Sequence, residues 1–200
     1  MKITTSAVEL LSITPNPLQL IERAGRVCYK SENKITDDSA EVFVRKIVHA
    51  LHHESVIEHA SATFWIRCDR GISHEIVRHR LASYSQESTR YVKYDGGMEV
   101  IPPLGLNSGQ MENFVKCMEV VESTYKELRE GAIKPQMARD VLPTCLKTEI
   151  VMTANFREWR HFIKLRGGTA AHPKIRTIAA EILNILNAQC PAVFDDLSCA

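Results

Sequence analysis

The sequence has almost no net charge and no long apolar run. Across 200 residues the formal charge is +1, and charged residues make up 24% of the total. A near-neutral chain lacks the broad basic field with which proteins attract nucleic acid or an anionic membrane. No apolar stretch approaches the roughly 20 residues of a membrane-spanning helix. We therefore expect no membrane and no nucleic-acid partner, and any phosphate site must come from a local group of basic residues.

Paired cysteines and an export signal are also missing. The six cysteines are scattered and form no C-x-x-C pair, which argues against a zinc knuckle and a thioredoxin-like motif. The first 15 residues lack the apolar core and small-residue cleavage site of a signal peptide. We therefore expect a cytoplasmic protein with reduced thiols.

Apolar periodicity predicts the elements of a globular domain. Strands are predicted at residues 2–12, 63–68 and 147–155. Helices are predicted at 17–29 and 109–130, after residue 155 in a segment that includes Trp159, and from Pro173 onward. Another helix follows Asp38, with an apolar face of Val42, Val44, Ile47, Val48 and Leu51, and a short one ends near residue 78. Residues 82–93 are interpreted as an ordered loop running into a strand. We predict one domain over residues 1–200, of α/β (mixed α+β) class, with a small sheet flanked by helices.

Basic and hydroxyl side chains are concentrated in the middle of the chain. Arg78-His79-Arg80 is followed by Ser88 and Arg90. Arginine forks bind phosphate and carbonyl oxygens bidentately, and serine hydroxyls add donors. A solvated basic turn paired with nearby glutamates fits the same composition, so composition alone leaves both interpretations open.

The spacing of these residues is more specific. Arg-His-Arg, seven residues and then Ser resembles the signature of the flavin-dependent thymidylate synthases, as does Ser-x-Arg-Tyr at 88–91. Further segments resemble that family in the same order: His53-Glu54-Ser55, Ala138-Arg139 with Leu142-Pro143 and Thr148, Asn155-x-Arg157 with His161, and Leu165-Arg166. The resemblance covers the chain from Tyr29 to about Arg176.

The resemblance implies a transferase of nucleotide biosynthesis that methylates deoxyuridylate (dUMP) reductively to thymidylate (dTMP). Methylenetetrahydrofolate would give the carbon, and FAD reduced by NADPH would give the hydride. It also implies an α/β homotetramer whose active sites form where subunits meet. Because the flavin carries the reducing chemistry, no protein nucleophile is required.

The resemblance also implies roles for individual residues. Arg166 matches the catalytic arginine at the uracil edge, where a cation stabilises negative charge on the ring. The positions that match dUMP contacts are Glu75, Arg78, Gln86, Glu87, Ser88, Thr89, Arg90, Arg139 and Arg166. The positions that match FAD contacts are His53, Ser55, Arg78, His79, Arg80, Gln86, Asn155, Arg157 and His161. No metal ligand is implied.

Two positions depart from the family pattern. Glu75 stands where the family often has Gln, and a carboxylate donates to a uracil carbonyl only when it is protonated. His172 lies a couple of residues from the position where a family histidine is expected. The role of Glu75 and the identity of that histidine therefore stay open.

Two rival functions rest on the residues alone. The basic loop, with Tyr84, Tyr91 and Tyr94 interleaved, has the composition of a single-strand nucleic-acid binder. The histidines at 52, 53 and 59 suggest a metal hydrolase, although the H-E-x-x-H and H-x-x-E-H spacings each miss by one ligand.

Three residues have competing interpretations. Arg166 precedes Gly167-Gly168 and so also fits a helix C-terminal arginine. Ser88 has no partnering base in sequence and is interpreted as a substrate ligand rather than a nucleophile. Cys190 precedes Pro191, the reverse of the order in the other class of thymidylate synthase, which uses a cysteine nucleophile.

Overall fold

The computed structural model describes all residues, Met1 to Ala200. The predicted mixed α/β class is confirmed. The strands are β1 (Lys2–Ile3), β2 (Ala7–Ile13), β3 (Ser61–Asp69), β4 (Ala82–Gln86), β5 (Glu99–Val100) and β6 (Lys147–Asn155). The α-helices are α1 (Pro17–Cys28), α2 (Ser39–Arg45), α3 (Arg70–Ile76), α4 (Ser108–Glu130), α5 (Pro135–Ala138), α6 (Phe156–Arg166), α7 (Pro173–Gln189) and α8 (Pro191–Phe194). Short 3₁₀ turns cover Glu32–Lys34, Glu54–His59 and Arg139–Val141.

The strands form two sheets. One has four strands in the order β2-β3-β6-β4, and the other pairs β1 with β5 in parallel. β3 and β6 bury alternate residues along their length, as expected for strands with one covered face. None of the helices combines the length and the apolar character that crossing a membrane demands.

The chain divides into two compact units, each built from separate segments. Unit 1 comprises Met1–Ala7, Ile66–Arg78 and Ser85–Ile150. Unit 2 comprises Val8–Trp65, His79–Tyr84 and Val151–Ala200. β3 and β6 therefore each begin in one unit and end in the other. The single domain expected over residues 1–200 stays a prediction.

The long helix α4 organises the core of unit 1. Asn107 starts it with a capping box, in which its side chain accepts from Gln110 N at 2.9 Å and Gln110 Oε1 accepts from Asn107 N at 3.0 Å. Two turns apart on one face, Met118 and Tyr125 are buried, and the Tyr125 ring meets Tyr94 edge-on at 5.9 Å.

Aromatic packing fixes α6 in unit 2. The Trp159 ring meets Phe64 of β3 edge-on at 5.0 Å, and it meets Phe162 of its own helix at 5.7 Å. The indole N–H donates to the Ala62 carbonyl at 3.0 Å, so this buried polar atom is satisfied. These contacts hold α6 in one orientation, and α6 carries the polar residues described below.

The N-terminal strand prediction is only partly right. Residues 2–12 form two strands rather than one, since Lys2 and Ile3 pair with β5 while Ala7–Ile13 belong to the other sheet. The stretch 82–93 has the reverse of the predicted order, because β4 comes first and the loop follows it.

The face predicted for the helix that begins at Ser39 is right at three positions and wrong at Val42 and Leu51. Its buried stripe is Ala40, Val44, Ile47 and Val48, and Val42 lies half a turn away, 72% exposed. After Arg45 the helix continues as a π-helical turn, Lys46–Ala50. Wider turns of this kind shift the register of a helix face, and Leu51 is exposed after it.

Candidate active site

In unit 2 one face of α6 places two charged side chains on either side of a phenylalanine. Asn155 starts the helix, because its Oδ1 accepts from Glu158 N at 2.9 Å. Glu158, Phe162 and Arg166 then follow on one face, since residues four apart are neighbours on a helix surface. His79, which precedes β4, lies across this face, and its ring centroid is 4.8 Å from that of Phe162.

A hydrogen-bond chain runs through the His79 ring. Nδ1 is 2.8 Å from Glu158 Oε1, and Arg166 Nε donates to Nε2 at 3.1 Å. A guanidinium can only donate, so Nε2 must accept and the ring proton must be on Nδ1, pointing at the carboxylate. The chain Arg166→His79→Glu158 therefore has one consistent tautomer. The side chains of His79 and Glu158 are 2% and 6% exposed, so water does not compete for these bonds.

The surroundings keep this ring neutral. Burial is the main cause that lowers the pKa of His79, and the charges of Arg166 and His161 lower it further. The hydrogen bond and charge of Glu158 act in the opposite direction without cancelling the effect. The pKa of His79 is thus below the usual histidine value, and a neutral ring is what the contact with Arg166 requires.

Tyr84 fixes the main chain beside the ring. Its hydroxyl donates to the His79 carbonyl at 2.5 Å. Burial, followed by the charge of Glu158, raises the pKa of Tyr84 to about 12, so the phenol keeps its proton and stays a donor. Both the backbone and the ring of His79 are thereby held.

Arg166 ends α6, and the residue after it has no room for a side chain. A Cβ on Gly167 would lie 2.4 Å from Cys199 Sγ and 2.7 Å from the Ile163 carbonyl oxygen. The Ala200 N–H also donates to the Gly167 carbonyl at 2.9 Å. The C-terminal segment thus packs directly on the end of the helix that carries Arg166.

Gly167→Ala is expected to destabilise the protein by about 1–3 kcal/mol, the usual cost of forcing atoms into a packed site. It should also lower turnover, since Arg166 is the adjacent residue. Urea unfolding with a parallel assay measures both effects. Gly168→Ala is the matched control, because a Cβ there meets its nearest atom at 3.5 Å. Equal stability of the two variants would contradict this prediction.

A cavity of about 540 Å³ opens in unit 2 beside the start of α6. Three predicted flavin residues, Asn155, Arg157 and His161, line it. The other lining residues are Glu54, Glu58, Leu81, Glu158 and Lys164. Its cations are paired with acids of the 54–59 turn: Arg157 lies 2.5 Å from Glu58, and Lys164 lies 3.5 Å from Glu54.

The other predicted flavin residues of unit 2 are outside this lining. His53 and Ser55 are exposed on either side of Glu54, and the Tyr29 hydroxyl lies 3.4 Å from His53 Nδ1. Arg80 is exposed next to Leu81. His172, which lies near the position of the expected family histidine, caps α7, and its Nδ1 accepts from Lys174 N at 3.2 Å.

In unit 1 the loop after β4 brings several predicted nucleotide residues together. Ser88 Oγ accepts from Arg90 N at 3.3 Å, and the Ser88 carbonyl accepts from Tyr91 N and Val92 N. Serine turns of this type hold a loop in one conformation. Arg139 Nη1 donates to Thr89 Oγ1 at 3.4 Å, which ties a second predicted cation to the same loop. Arg90 and Arg139 are both exposed.

Gln86 and Glu87 anchor that loop inside unit 1. Gln86 Nε2 donates to Ser73 Oγ at 2.9 Å and to Thr148 Oγ1 at 3.2 Å. Glu87 accepts from the Tyr94 hydroxyl at 2.7 Å and from Lys147 Nζ at 3.1 Å. The Gln86 amide hydrogens and both Glu87 oxygens are thus engaged within the protein. Direct contacts of these two residues with ligands stay predictions.

Glu75 and Arg78 lie at the end of α3. Glu75 is in the last turn of the helix and partly buried, and its carbonyl accepts from Arg78 N at 3.3 Å. The Arg78 side chain is exposed. The turn therefore presents Arg78 on the surface of unit 1.

The tyrosines of the basic loop do not form a base-stacking surface. Tyr94 is 8% exposed and bound to Glu87, and Tyr84 is bound to the His79 carbonyl. Only Tyr91 is open, 74% exposed, with the Arg90 guanidinium 5.6 Å from its ring centroid. This geometry argues against the nucleic-acid interpretation.

The cysteine alternative and the metal site suggested by the histidines at 52, 53 and 59 also lose support. Potential metal-ligand atoms lie within 4.8 Å of one another in two groups of three residues. The first group is His79, Glu158 and His161, and the second is His49, Asp195 and Asp196. The predicted trio of His52, His53 and His59 is not among them, and all three are exposed. Burial raises the pKa of the Cys190 thiol to about 12, far from that of an activated nucleophile.

Glu158 was not predicted as a site residue, and His79 was assigned only to flavin. One signal was present, since Glu158, Phe162 and Arg166 have the spacing of one helix face. Nothing in the sequence indicates that residue 79 lies on that face, because the two segments are 79 residues apart.

A sequence model of the family described as "Thymidylate synthase complementing protein" matches residues 9–192. A protein named flavin-dependent thymidylate synthase from Geobacter sulfurreducens is 37% identical over 94% of this chain and 85% of its own length. Its namesake from Corynebacterium diphtheriae is 38% identical over 88% of this chain and 77% of its own.

The crystal structure of the UMP/dUMP methylase PolB from Streptomyces cacaoi, bound with 5-Br dUMP, has the same fold. It matches with a TM-score of 0.84 over 98% of this chain and 96% of that chain, at 23% identity. The family resemblance read from the sequence motifs is confirmed by the family match and by the relatives. This chain belongs to the family of flavin-dependent thymidylate synthases.

Proposed function

We propose that this enzyme methylates dUMP reductively to dTMP, with methylenetetrahydrofolate as the carbon donor and FAD reduced by NADPH as the source of hydride. The observation that carries the proposal is the cavity lined by Asn155, Arg157 and His161, in the same unit as Arg166. Family membership supplies the reaction class, and these residues supply the donors it needs.

The cavity residues suit a flavin dinucleotide. Guanidinium, ammonium, amide and imidazole donors are the groups that hold diphosphate and adenine. On binding, Arg157 and Lys164 would either leave their glutamate partners for phosphate oxygens or contact both at once. Both ring nitrogens of His79 are engaged within the protein, so its assigned flavin contact would come from the main chain. When bound, FAD supplies the hydride that the methyl group requires.

The loop after β4 is assigned to the nucleotide. Ser88 supplies a hydroxyl held in a turn, while Arg90 and Arg139 supply exposed guanidinium groups. A phosphate monoester needs this combination of charge and directed donors. A chain with a net charge of +1 gains anion affinity in this way without a general attraction to nucleic acid.

Arg166 is assigned to the uracil ring. Carbon–carbon bond formation at the ring is favoured when negative charge there is stabilised by a fixed cationic donor. The Nε–H of Arg166 is bound to a buried, neutral imidazole, so the guanidinium is oriented before substrate arrives. Fixed orientation matters because the donor then needs no rearrangement during the reaction.

The direct test is purification followed by spectroscopy and assay. We expect a yellow protein, or one that becomes yellow with FAD. It should release tritium from 5-tritiated dUMP when NADPH and methylenetetrahydrofolate are present. A protein that cannot be loaded with FAD would contradict the proposal. Omitting the folate, which should stop dTMP formation, is the control for the carbon source.

Ser88→Ala is expected to weaken dUMP binding about tenfold, because the hydroxyl would bond to a charged phosphate. Turnover at saturating nucleotide should change much less. Isothermal titration and saturation kinetics separate the two quantities. Ser85→Ala, an exposed neighbour in β4, is the control. Unchanged affinity with abolished turnover would instead support a nucleophilic serine.

The proposal includes the assembly implied by the family resemblance. We infer a cytoplasmic homotetramer with each active site formed where subunits meet. Sedimentation analysis should then give the mass of four chains of 22.6 kDa each. A monomer that retains full activity would contradict the shared active site.

A further inference from the structure

We propose that Glu158 and His79 are positioning residues, which orient the Arg166 guanidinium through one fixed tautomer of the His79 ring. The inference rests on the proposed function, because it concerns how the assigned catalytic arginine is held. Neither residue needs to touch substrate for this role.

The first support is the direction of each bond. Glu158 accepts a hydrogen bond from the Nδ1–H of His79 at 2.8 Å, and the unprotonated Nε2 then accepts from Arg166 Nε at 3.1 Å. A guanidinium is planar, so fixing its Nε–H fixes the plane in which its other N–H groups point. The other tautomer would bring a ring N–H against the Arg166 N–H.

The second support is confinement. The His79 side chain is 2% exposed, and its ring centroid lies 4.8 Å from that of Phe162 and 5.4 Å from that of His161. Tyr84 holds its carbonyl. Since the ring cannot exchange its partners for water, removing the Glu158 carboxylate leaves a buried N–H unsatisfied.

The third support is charge. The titratable groups that face the ring are Glu158, His161 and Arg166 of α6, and Tyr84 of β4. A protonated His79 would place a second cation and a second N–H against Arg166. The neutral form is therefore the one compatible with the observed contact.

A matched pair of variants tests the inference. Glu158→Gln keeps size and an acceptor oxygen, whereas Glu158→Met keeps size and removes the acceptor. We expect Glu158→Met to lower kcat about 10–100-fold, the range seen when an orienting partner is lost. Glu158→Gln should stay within about threefold of wild type, because its carbonyl can accept from Nδ1. FAD loading and circular dichroism verify that both variants fold.

A double-mutant cycle identifies Arg166 as the residue acted upon. In an Arg166→Lys background there is no guanidinium Nε–H to orient. Adding Glu158→Met to that variant should therefore lower its kcat by less than about twofold. A merely structural Glu158 would cost the same in both backgrounds, and that result would overturn the inference. So would wild-type kcat in Glu158→Met.

The tautomer has a readout that does not require activity. Selective ¹⁵N labelling of the eight histidines, with the His79 signals identified by their loss in His79→Gln, should give a neutral ring protonated on Nδ1. A ring protonated on Nε2, or a cationic ring at neutral pH, would overturn the inference even in an active enzyme. An inactive wild type with the expected tautomer would instead contradict the proposed function.

Discussion

Arg166→Ala is expected to lower dUMP turnover by about 10²–10³-fold, the typical loss when a fixed donor to a developing anion is removed. FAD uptake should remain, because the residues assigned to the flavin cavity are unchanged. The physical reason is that in the alanine variant only water can stabilise the negative charge on the uracil ring, and water must reorganise as that charge develops.

The competing interpretation of Arg166 gives a different result. If the residue only complements the C-terminus of α6, its removal should cost about 0.3–1 kcal/mol of stability and leave kcat intact. Measuring kcat, FAD affinity and urea unfolding on the same preparation distinguishes the two. Arg23→Ala, an exposed arginine of α1 without an assigned role, should match wild type in all three. Near-wild-type turnover in Arg166→Ala would remove the catalytic assignment.

Asp196→Ala is expected to destabilise the protein by about 2 kcal/mol, between the values for exposed and buried ion pairs. Arg160 is 3% exposed, and its two terminal nitrogens donate to Asp196 at 2.6 and 2.7 Å. Breaking a fully buried pair costs about 3–5 kcal/mol, because it leaves an uncompensated charge. Asp196 is 36% exposed, and Arg160 would keep Glu54 at 3.1 Å and the Val193 carbonyl as partners, so we expect a smaller loss of about 2 kcal/mol. For a stability of about 5–15 kcal/mol, such a loss is still substantial.

The adjacent aspartate provides the control. Asp195 pairs with Arg45, and the two side chains are 39% and 38% exposed. Exposed pairs contribute about 0–1 kcal/mol, so Asp195→Ala should stay within that range in urea unfolding. Equal effects at the two positions would contradict the importance of the pair that Asp196 forms with the buried Arg160.

Acid should diminish the difference between wild type and Asp196→Ala. Burial alone would raise the pKa of Asp196, but the hydrogen bond and charge of Arg160, together with His49, outweigh it and lower the pKa. A carboxyl with a depressed folded pKa stabilises the protein above its unfolded pKa of about 3.9, and loses that contribution as pH falls through the folded value. The two proteins should therefore converge in stability at the lowest pH.

Local patterns predicted the regular elements well. β6 was expected at residues 147–155 and has those bounds, because its buried and open residues alternate without interruption. Helix α4 was expected at 109–130 and spans Ser108–Glu130, since Asn107 gives it a clear start. The split between β1 and β2 was not predictable, as it depends on which distant strands they join.

The same distinction applies to the candidate site. Sequence motifs indicated His79 and Arg166 separately, because each lies in a recognisable segment. Their hydrogen bond, and the role of Glu158 as the partner of His79, depend on tertiary packing. The ion pairs that occupy Arg157 and Lys164 were invisible for the same reason. The sequence predicts which side-chain donors and acceptors the site contains, whereas tertiary packing decides which of them already form hydrogen bonds or ion pairs within the protein.

The interleaving of the two units has a consequence for biosynthesis. The bonds that complete unit 2 join residues far apart in the chain, such as Arg160 with Glu54, 106 residues apart, and Arg166 with His79, 87 apart. During translation, β3 and the 54–59 turn therefore leave the ribosome well before the helix that covers them. Chains dominated by distant contacts fold slowly and expose apolar surface meanwhile. Unit 2 can therefore complete its folding only after α6 and α7 have emerged from the ribosome.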